Sequence, residues 1–133
     1  MVCKMLFFDY KDSTDLFFEK NKLENFDIKF FKEALNNETV NNLSSNDLEY
    51  TNSLSIGENS KITPDILNKF RNLRVITTRT NNYSHIDIAS CIDKNIAVVN
   101  VEHYDPNSPY YNLNQSFKGV TSVLCGCKEY RVV

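Results

Sequence analysis

Lys4 to Phe8 is an apolar run bounded by Asp9, the pattern of a strand buried on both faces. Asp12-Ser13-Thr14-Asp15 then supplies capping chemistry for a helix over Leu16 to Glu24. Phe26, Ile28 and Phe30 alternate with Asp27 and Lys29, which predicts a half-exposed strand at a sheet edge. Glu33 to Leu43 reads as a weak helix, and Leu48 to Ile56 as a third strand ending at Gly57. Thr63-Pro64-Asp65 is a helix start: a hydroxyl cap, a proline at the first position and an acid in the first turn. Ile66, Leu67, Phe70 and Leu73 follow as one apolar stripe. Val75 to Thr78 is a short β-branched strand. Ile88, Ala89 and Ile92 mark the inner face of a further helix, and Asn95 suits a left-handed stop. Ala97 to Val101 is a fifth strand. After Glu102 prolines, tyrosines and asparagines dominate, and Gly119 to Leu124 suits a short strand.

Strand and helix alternate about five times, which argues for an α/β fold. Its parallel sheet has helices on both faces, joined by right-handed crossovers. An edge-like second strand beside a buried first one favours the order 2-1-3-4-5 of flavodoxin-like three-layer folds. Ligands in such sheets bind at the carboxyl ends of the strands, so the loops after Phe8, Ile56, Thr78 and Val101 are the places to look. No internal repeat is present, and no linker precedes about residue 105.

Composition narrows the chemistry. The 133 residues are 41% hydrophobic and 24% charged, ordinary usage for one globular domain. No apolar run is long enough to span a bilayer, and the N-terminal patch is too short for a signal sequence, so the expected compartment is the cytoplasm. Net charge is −2 with scattered Lys and Arg, against nucleic-acid binding. The only glycines are Gly57, Gly119 and Gly126, so neither a dinucleotide fingerprint nor a P-loop can be written. Cys3 and Cys91 lie in apolar segments and read as core thiols, while Cys125 and Cys127 suit an oxidisable tail; the spacing forms no zinc pattern. No metal is expected.

Two loops carry more information. Thr63-Pro64-Asp65-Ile66-Leu67 is followed by Val75-Ile76-Thr77-Thr78-Arg79, then Tyr83-Ser84-His85-Ile86-Asp87, then Val99-Asn100-Val101-Glu102-His103-Tyr104. This order resembles the D-isomer-specific 2-hydroxyacid dehydrogenase family, whose substrate domain runs T-P-x-x-L, R-x-x-G-[YFV]-[DN]-[NH]-I-D and N-V-P-x-Y. The start KMLFFDY looks like the D-lactate dehydrogenase branch, and the resemblance covers residues 1 to about 108. It implies a substrate-type domain over residues 1–105, a divergent tail over 106–133, and no NAD-binding Rossmann domain. It further implies a carboxylate site at Asn81, Asn82 and Tyr104, with backbone amides as donors, and structural roles for Arg79 and Asp87 in holding the loop and the helix start.

Departures from the family pattern bear on that site. Asn82 stands where the family has glycine, Glu102 where it has proline, and Pro109 where a helix continues. The family's hydride-handling arginine and His–Glu pair match no residue here, so the expectation is no catalytic residue, no cofactor bound by this chain alone, and no dehydrogenase activity on its own. His103 reads as a loop histidine, and His85 as a ring bonded to local backbone. Asp9 and Asp12 read as loop and cap residues rather than a carboxylate pair. Tyr104, Tyr110, Tyr111 and Phe117 form an aromatic cluster suited to an interface. A small 2-hydroxy or 2-oxo carboxylate and a homodimer are the expected partners. An interaction or redox-responsive protein using the aromatic and cysteine tail is the alternative.

Overall fold

The computed structural model describes residues 3–9, 26–80 and 83–100. Five strands form one parallel sheet of order β2-β1-β3-β4-β5. They are β1 (Cys3–Phe7), β2 (Phe26–Phe30), β3 (Ser53–Ile56), β4 (Val75–Thr78) and β5 (Ala97–Asn100). The α/β fold class and the order 2-1-3-4-5 are those expected from the alternation of patterns, with β2 at an edge. The expected helix over Leu16 to Glu24 and the strand over Gly119 to Leu124 lie outside the described residues.

Register explains the core. Leu6, Leu54, Ile76 and Val98 are successive partners across four strands, and each is fully buried. Period-2 alternation sends this row to one face, with Phe8 and Ile56 at its carboxyl end. There it packs against Leu35, Val40, Leu43, Ile62, Ile66 and Leu67. The opposite face carries Met5, Phe7, Ser53, Ser55, Val75, Thr77, Ala97 and Val99, also buried. A sheet buried on both faces needs near-continuous apolar strands, and β1 supplies the longest such run.

Three six-residue helices are described: α1 (Ser45–Tyr50), α2 (Pro64–Lys69) and α3 (Ile88–Asp93). α2 begins as read, with the Thr63 hydroxyl accepting from the Ile66 amide at 3.3 Å and Pro64 in the first turn. Asn95 takes φ 57°, the left-handed stop after α3.

Three expectations need correction. Leu48 is not in a strand: Ser44 and Asp47 form a reciprocal capping box that starts α1, so β3 begins only at Ser53. Glu33 to Leu43 is no α-helix but a series of turns ending in a 3-10 turn at Thr39–Asn42. The Asn36 side chain accepts from the Glu38 and Thr39 amides, both at 2.9 Å, and the Thr39 hydroxyl donates to the Ala34 carbonyl at 2.7 Å. These local bonds satisfy the backbone without a helix. On α3 the inner face is Ile88 and Cys91, not Ala89 and Ile92; Ile92 is 57% exposed.

An ion cluster around the buried Asp47 ties the elements. The Asp47 carboxylate is nearly inaccessible and meets Lys4 Nζ at 3.2 Å and Lys29 Nζ at 3.0 Å. It thereby joins α1 to β1 and β2.

Candidate functional site

The carboxyl ends of β1, β3 and β4 converge, and three sets of side chains bind them together. The first centres on Asp9, just past β1. Its backbone has φ 56°, a left-handed conformation that aspartate tolerates better than most residues. That turn aims the carboxylate at the end of β3, where Oδ2 accepts from the Gly57 amide and the Ser60 hydroxyl, both at 2.9 Å. A methyl group on Gly57 would lie 2.8 Å from the same oxygen, so glycine is needed for space. Asp9 thus holds two loops, while Asp12 lies outside the described residues.

The second set centres on Arg79, the first residue after β4. Its amide donates to the Ile56 carbonyl at 2.8 Å. Its guanidinium lies 4.0 Å from the Phe7 ring centroid, donates to the Phe8 carbonyl, and donates through Nε to the Ser55 hydroxyl at 3.1 Å. One side chain therefore spans the ends of β1, β3 and β4.

The third set lies on the other face. Thr78 Oγ1 is 3.0 Å from His85 Nε2 and 2.9 Å from Thr80 Oγ1. His85 was expected to bond local backbone; its ring instead reaches a side chain at the end of β4, across the loop that both residues bound. Burial pushes the imidazole below its ordinary value of 6.5, against a partial upward pull from Asp9 and Glu58. The loop's far end is pinned by main chain. The Ile62 amide donates to the His85 carbonyl at 2.9 Å, and the Asp87 amide donates to the Ile62 carbonyl at 3.0 Å. Asp87 then caps α3, accepting from the Ser90 amide at 3.0 Å.

Of the residues singled out in the sequence, Arg79, Asp87 and His85 bound the loop after β4, and the charge of Asp9 acts on the His85 ring. Asn81, Asn82, Glu102, His103 and Tyr104 lie outside the described residues, as do Cys125 and Cys127. Ser60, Thr78 and Thr80 are network members that the sequence reading did not pick out. Thr78 and Thr80 flank the arginine in a T-R-T triplet, a signal visible only once the ring of His85 is placed beside them. Cys91 is buried, and burial followed by the nearby Asp87 charge pushes its thiol up to about 11, so it stays protonated and inert at neutral pH.

Among the described residues no group of His, Cys, Asp and Glu is placed to hold a metal ion, and no helix is long and apolar enough to cross a membrane. The one glycine turn among the described residues, at Gly57, is filled by the Asp9 carboxylate, so its amide is already engaged.

Comparison with known proteins agrees with this architecture. The family model for the D-isomer specific 2-hydroxyacid dehydrogenase catalytic domain matches residues 5–109. The D-lactate dehydrogenase from Aquifex aeolicus, solved with NAD and lactic acid, is 26% identical with a TM-score of 0.64; the match covers 78% of this chain and 29% of that one. The apo D-lactate dehydrogenase of Escherichia coli shares the fold at 19% identity and a TM-score of 0.62, over 77% of this chain and 32% of that one. A D-2-hydroxyisocaproate dehydrogenase does so at 16% identity and a TM-score of 0.62, over 79% and 31%. The chain therefore spans less than a third of the length of these solved dehydrogenases. No curated protein is significantly similar to it. With the fold, the strand order and a family match over most of its length, the chain belongs to the D-isomer-specific 2-hydroxyacid dehydrogenase family.

Proposed function

We propose that this chain is a substrate-type domain that binds a small 2-hydroxy or 2-oxo carboxylate at the loop after β4 and does not transfer hydride by itself. The observation that carries the reading is the way Arg79, His85 and Asp87 fix both ends of that loop at the carboxyl edge of the sheet, where α/β folds bind ligands. Backbone amides at Asn81 and Asn82 would receive the carboxylate, and Tyr104 would line the pocket. Arg79 acts as a brace, because its guanidinium is already engaged by Phe7, Phe8 and Ser55. The reading without hydride transfer rests on composition. The two glycine-loop patterns are missing from all 133 residues, and cofactor chemistry needs a cofactor site. We further propose a two-fold dimer as the assembly.

Titration of the labelled chain with pyruvate and D-lactate, followed by NMR, tests the site. The expected result is weak, saturable shifts at residues 79–83 and 104. Uniform, non-saturating shifts would remove the reading. In parallel, NADH absorbance with pyruvate, 2-oxoisocaproate and glyoxylate should stay flat at high protein concentration. Turnover that persists in homogeneous protein and is lost in Tyr104→Phe would overturn the second half. Sedimentation velocity reads the assembly, and a monomer up to millimolar concentration would exclude the dimer.

A further inference from the structure

We propose that β2 is the edge through which two copies of this chain pair, antiparallel about Ile28, so that one sheet runs through both. The inference rests on the two-fold assembly proposed above and assigns it a surface. Among the described residues the only sheet neighbour of β2 is β1. Along a strand in a parallel pair, the backbone groups of alternate residues turn to opposite edges. The Phe31 amide donates to the Phe7 carbonyl at 2.8 Å, so Asp27, Lys29 and Phe31 turn their N–H and C=O toward β1. Phe26, Ile28 and Phe30 turn theirs outward, and those of Ile28 meet no partner among the described residues. Such an edge is a template for another strand. The strand itself, Phe26-Asp27-Ile28-Lys29-Phe30, reads the same in both directions except that the two charges exchange.

Charge selects both the partner and the register. With the two-fold axis at Ile28, Asp27 of each copy lies opposite Lys29 of the other. Ile28 then lies opposite itself, joined by a reciprocal pair of backbone hydrogen bonds. The next register that keeps the outward groups paired sets Asp27 against Asp27 in one direction and Lys29 against Lys29 in the other. Like charges directly opposite are destabilising, so the register about Ile28 is favoured over both. Asp27 is exposed and the Lys29 side chain is 54% exposed, so both can reach across the edge. The Lys4–Asp47–Lys29 cluster holds two cations for one carboxylate, and Asp27 of a second copy supplies the missing anion. On the opposite face Ile28 and Phe30 are only partly buried, and pairing covers them further. A foreign strand would need this same spacing of charges, whereas a second copy carries it.

The test uses the full 133-residue chain. A mixture of 13C-labelled and unlabelled protein is read by isotope-filtered NMR. The expected signal joins the Hα of Asp27 in one copy to the Hα of Lys29 in the other, because opposed residues without a mutual hydrogen bond bring their Cα atoms closest. Sedimentation velocity then compares dimer dissociation constants. Asp27→Lys sets lysine against lysine on both sides of the axis and should weaken the dimer about tenfold or more. Asp27 makes no ion pair among the described residues, so the fold should tolerate this change. Lys29→Glu should weaken the dimer as well, and mixing the two variants should restore association, since each copy then offers the charge that the other lacks. Should Lys29→Glu not fold, because Lys29 also serves Asp47, the NMR contact and Asp27→Lys decide the matter alone. A dimer as tight in Asp27→Lys as in the parent, or one without the Asp27–Lys29 signal, overturns this interface and leaves the two-fold assembly to another surface. A parent that stays monomeric up to millimolar concentration removes both.

Discussion

Asp47→Ala should lower stability by about 2–4 kcal/mol, with a fall in Tm on the order of 10 °C. Three losses combine. The capping box at the start of α1 loses its acceptor, and capping residues are worth about 1 kcal/mol. The Lys4 and Lys29 ammonium groups lose a charged partner at 3.2 and 3.0 Å. A buried cation is also left without its counterion, although this last loss is partial. Lys29 is half exposed and turns to water, while Lys4 is largely buried and keeps Asn46 as a partner. The effect therefore falls short of the 3–5 kcal/mol typical of breaking a fully buried pair.

The same residue fixes a pH dependence. Burial pushes the Asp47 carboxyl up, but bonds from Lys29, the Ser44 amide, Lys4 and the Ser44 side chain outweigh it and hold it below the ordinary 3.8. A carboxylate with a depressed folded-state value contributes stability above the unfolded value and loses it as pH falls through the folded one. The gap between parent and Asp47→Asn should therefore be wide at pH 7 and narrow below about 3.8. Urea denaturation at pH 7 and pH 3 measures both. A gap that stays constant would mean that the charge contributes nothing.

How much of this was legible in the sequence depends on the range of each interaction. Strands β4 and β5 were readable because β-branched residues fill them, and α2 because Thr63 and Pro64 mark its start within three residues of chain. The stretch around Leu48 was misread because Leu48, Tyr50, Leu54 and Ile56 alternate well enough to mimic a strand. The capping signal, Ser44 followed three residues later by Asp47, was present and outweighs that alternation. On α3 the two faces differ by a single residue, and Cys91 rather than Ile92 points inward. A thiol is readily buried, so hydropathy alone ranks the two positions wrongly.

For the site, sequence motifs located the loop after β4 but not what holds it. Arg79 reaches Ser55 across 24 positions and Phe8 across 71, and no local pattern announces such partners. His85 was expected to bond backbone because the matching position of the family pattern takes His or Asn. Its actual partner, Thr78, lies seven positions back and becomes a neighbour only when the loop closes on Ile62. The bonds from Asp9 to Gly57 and Ser60 likewise bridge 48 and 51 positions. The motifs are local in sequence, whereas the contacts that hold the loop ends come from the packing of distant strands.

That last contact yields the second large effect. Gly57→Ala should destabilise the chain by about 2–3 kcal/mol, toward the upper end of what overpacking costs. The new methyl would lie 2.8 Å from Asp9 Oδ2 and 2.9 Å from Asp9 Cβ, and the second of these cannot swing away by a side-chain rotation alone. Asp9 is fixed as well by its left-handed backbone, by the hydrogen bond its amide donates to the Glu33 carbonyl at 3.0 Å and by the Ser60 hydroxyl. Asp9→Gly removes the clash and takes the φ of 56° without strain, but gives up two hydrogen bonds at 2.9 Å. Asp9→Ala gives up the same bonds, keeps the Cβ that collides with the methyl, and carries the backbone strain. The single variants should therefore rank Asp9→Ala as more costly than Asp9→Gly. In the double-mutant cycle, Asp9→Gly should offset at least about 1 kcal/mol of the Gly57→Ala loss, and Asp9→Ala clearly less. Chemical denaturation of the four chains in each cycle gives the coupling directly. Strict additivity in the glycine cycle would show that the turn relaxes away from the contact, and that Gly57 is not held to glycine by Asp9.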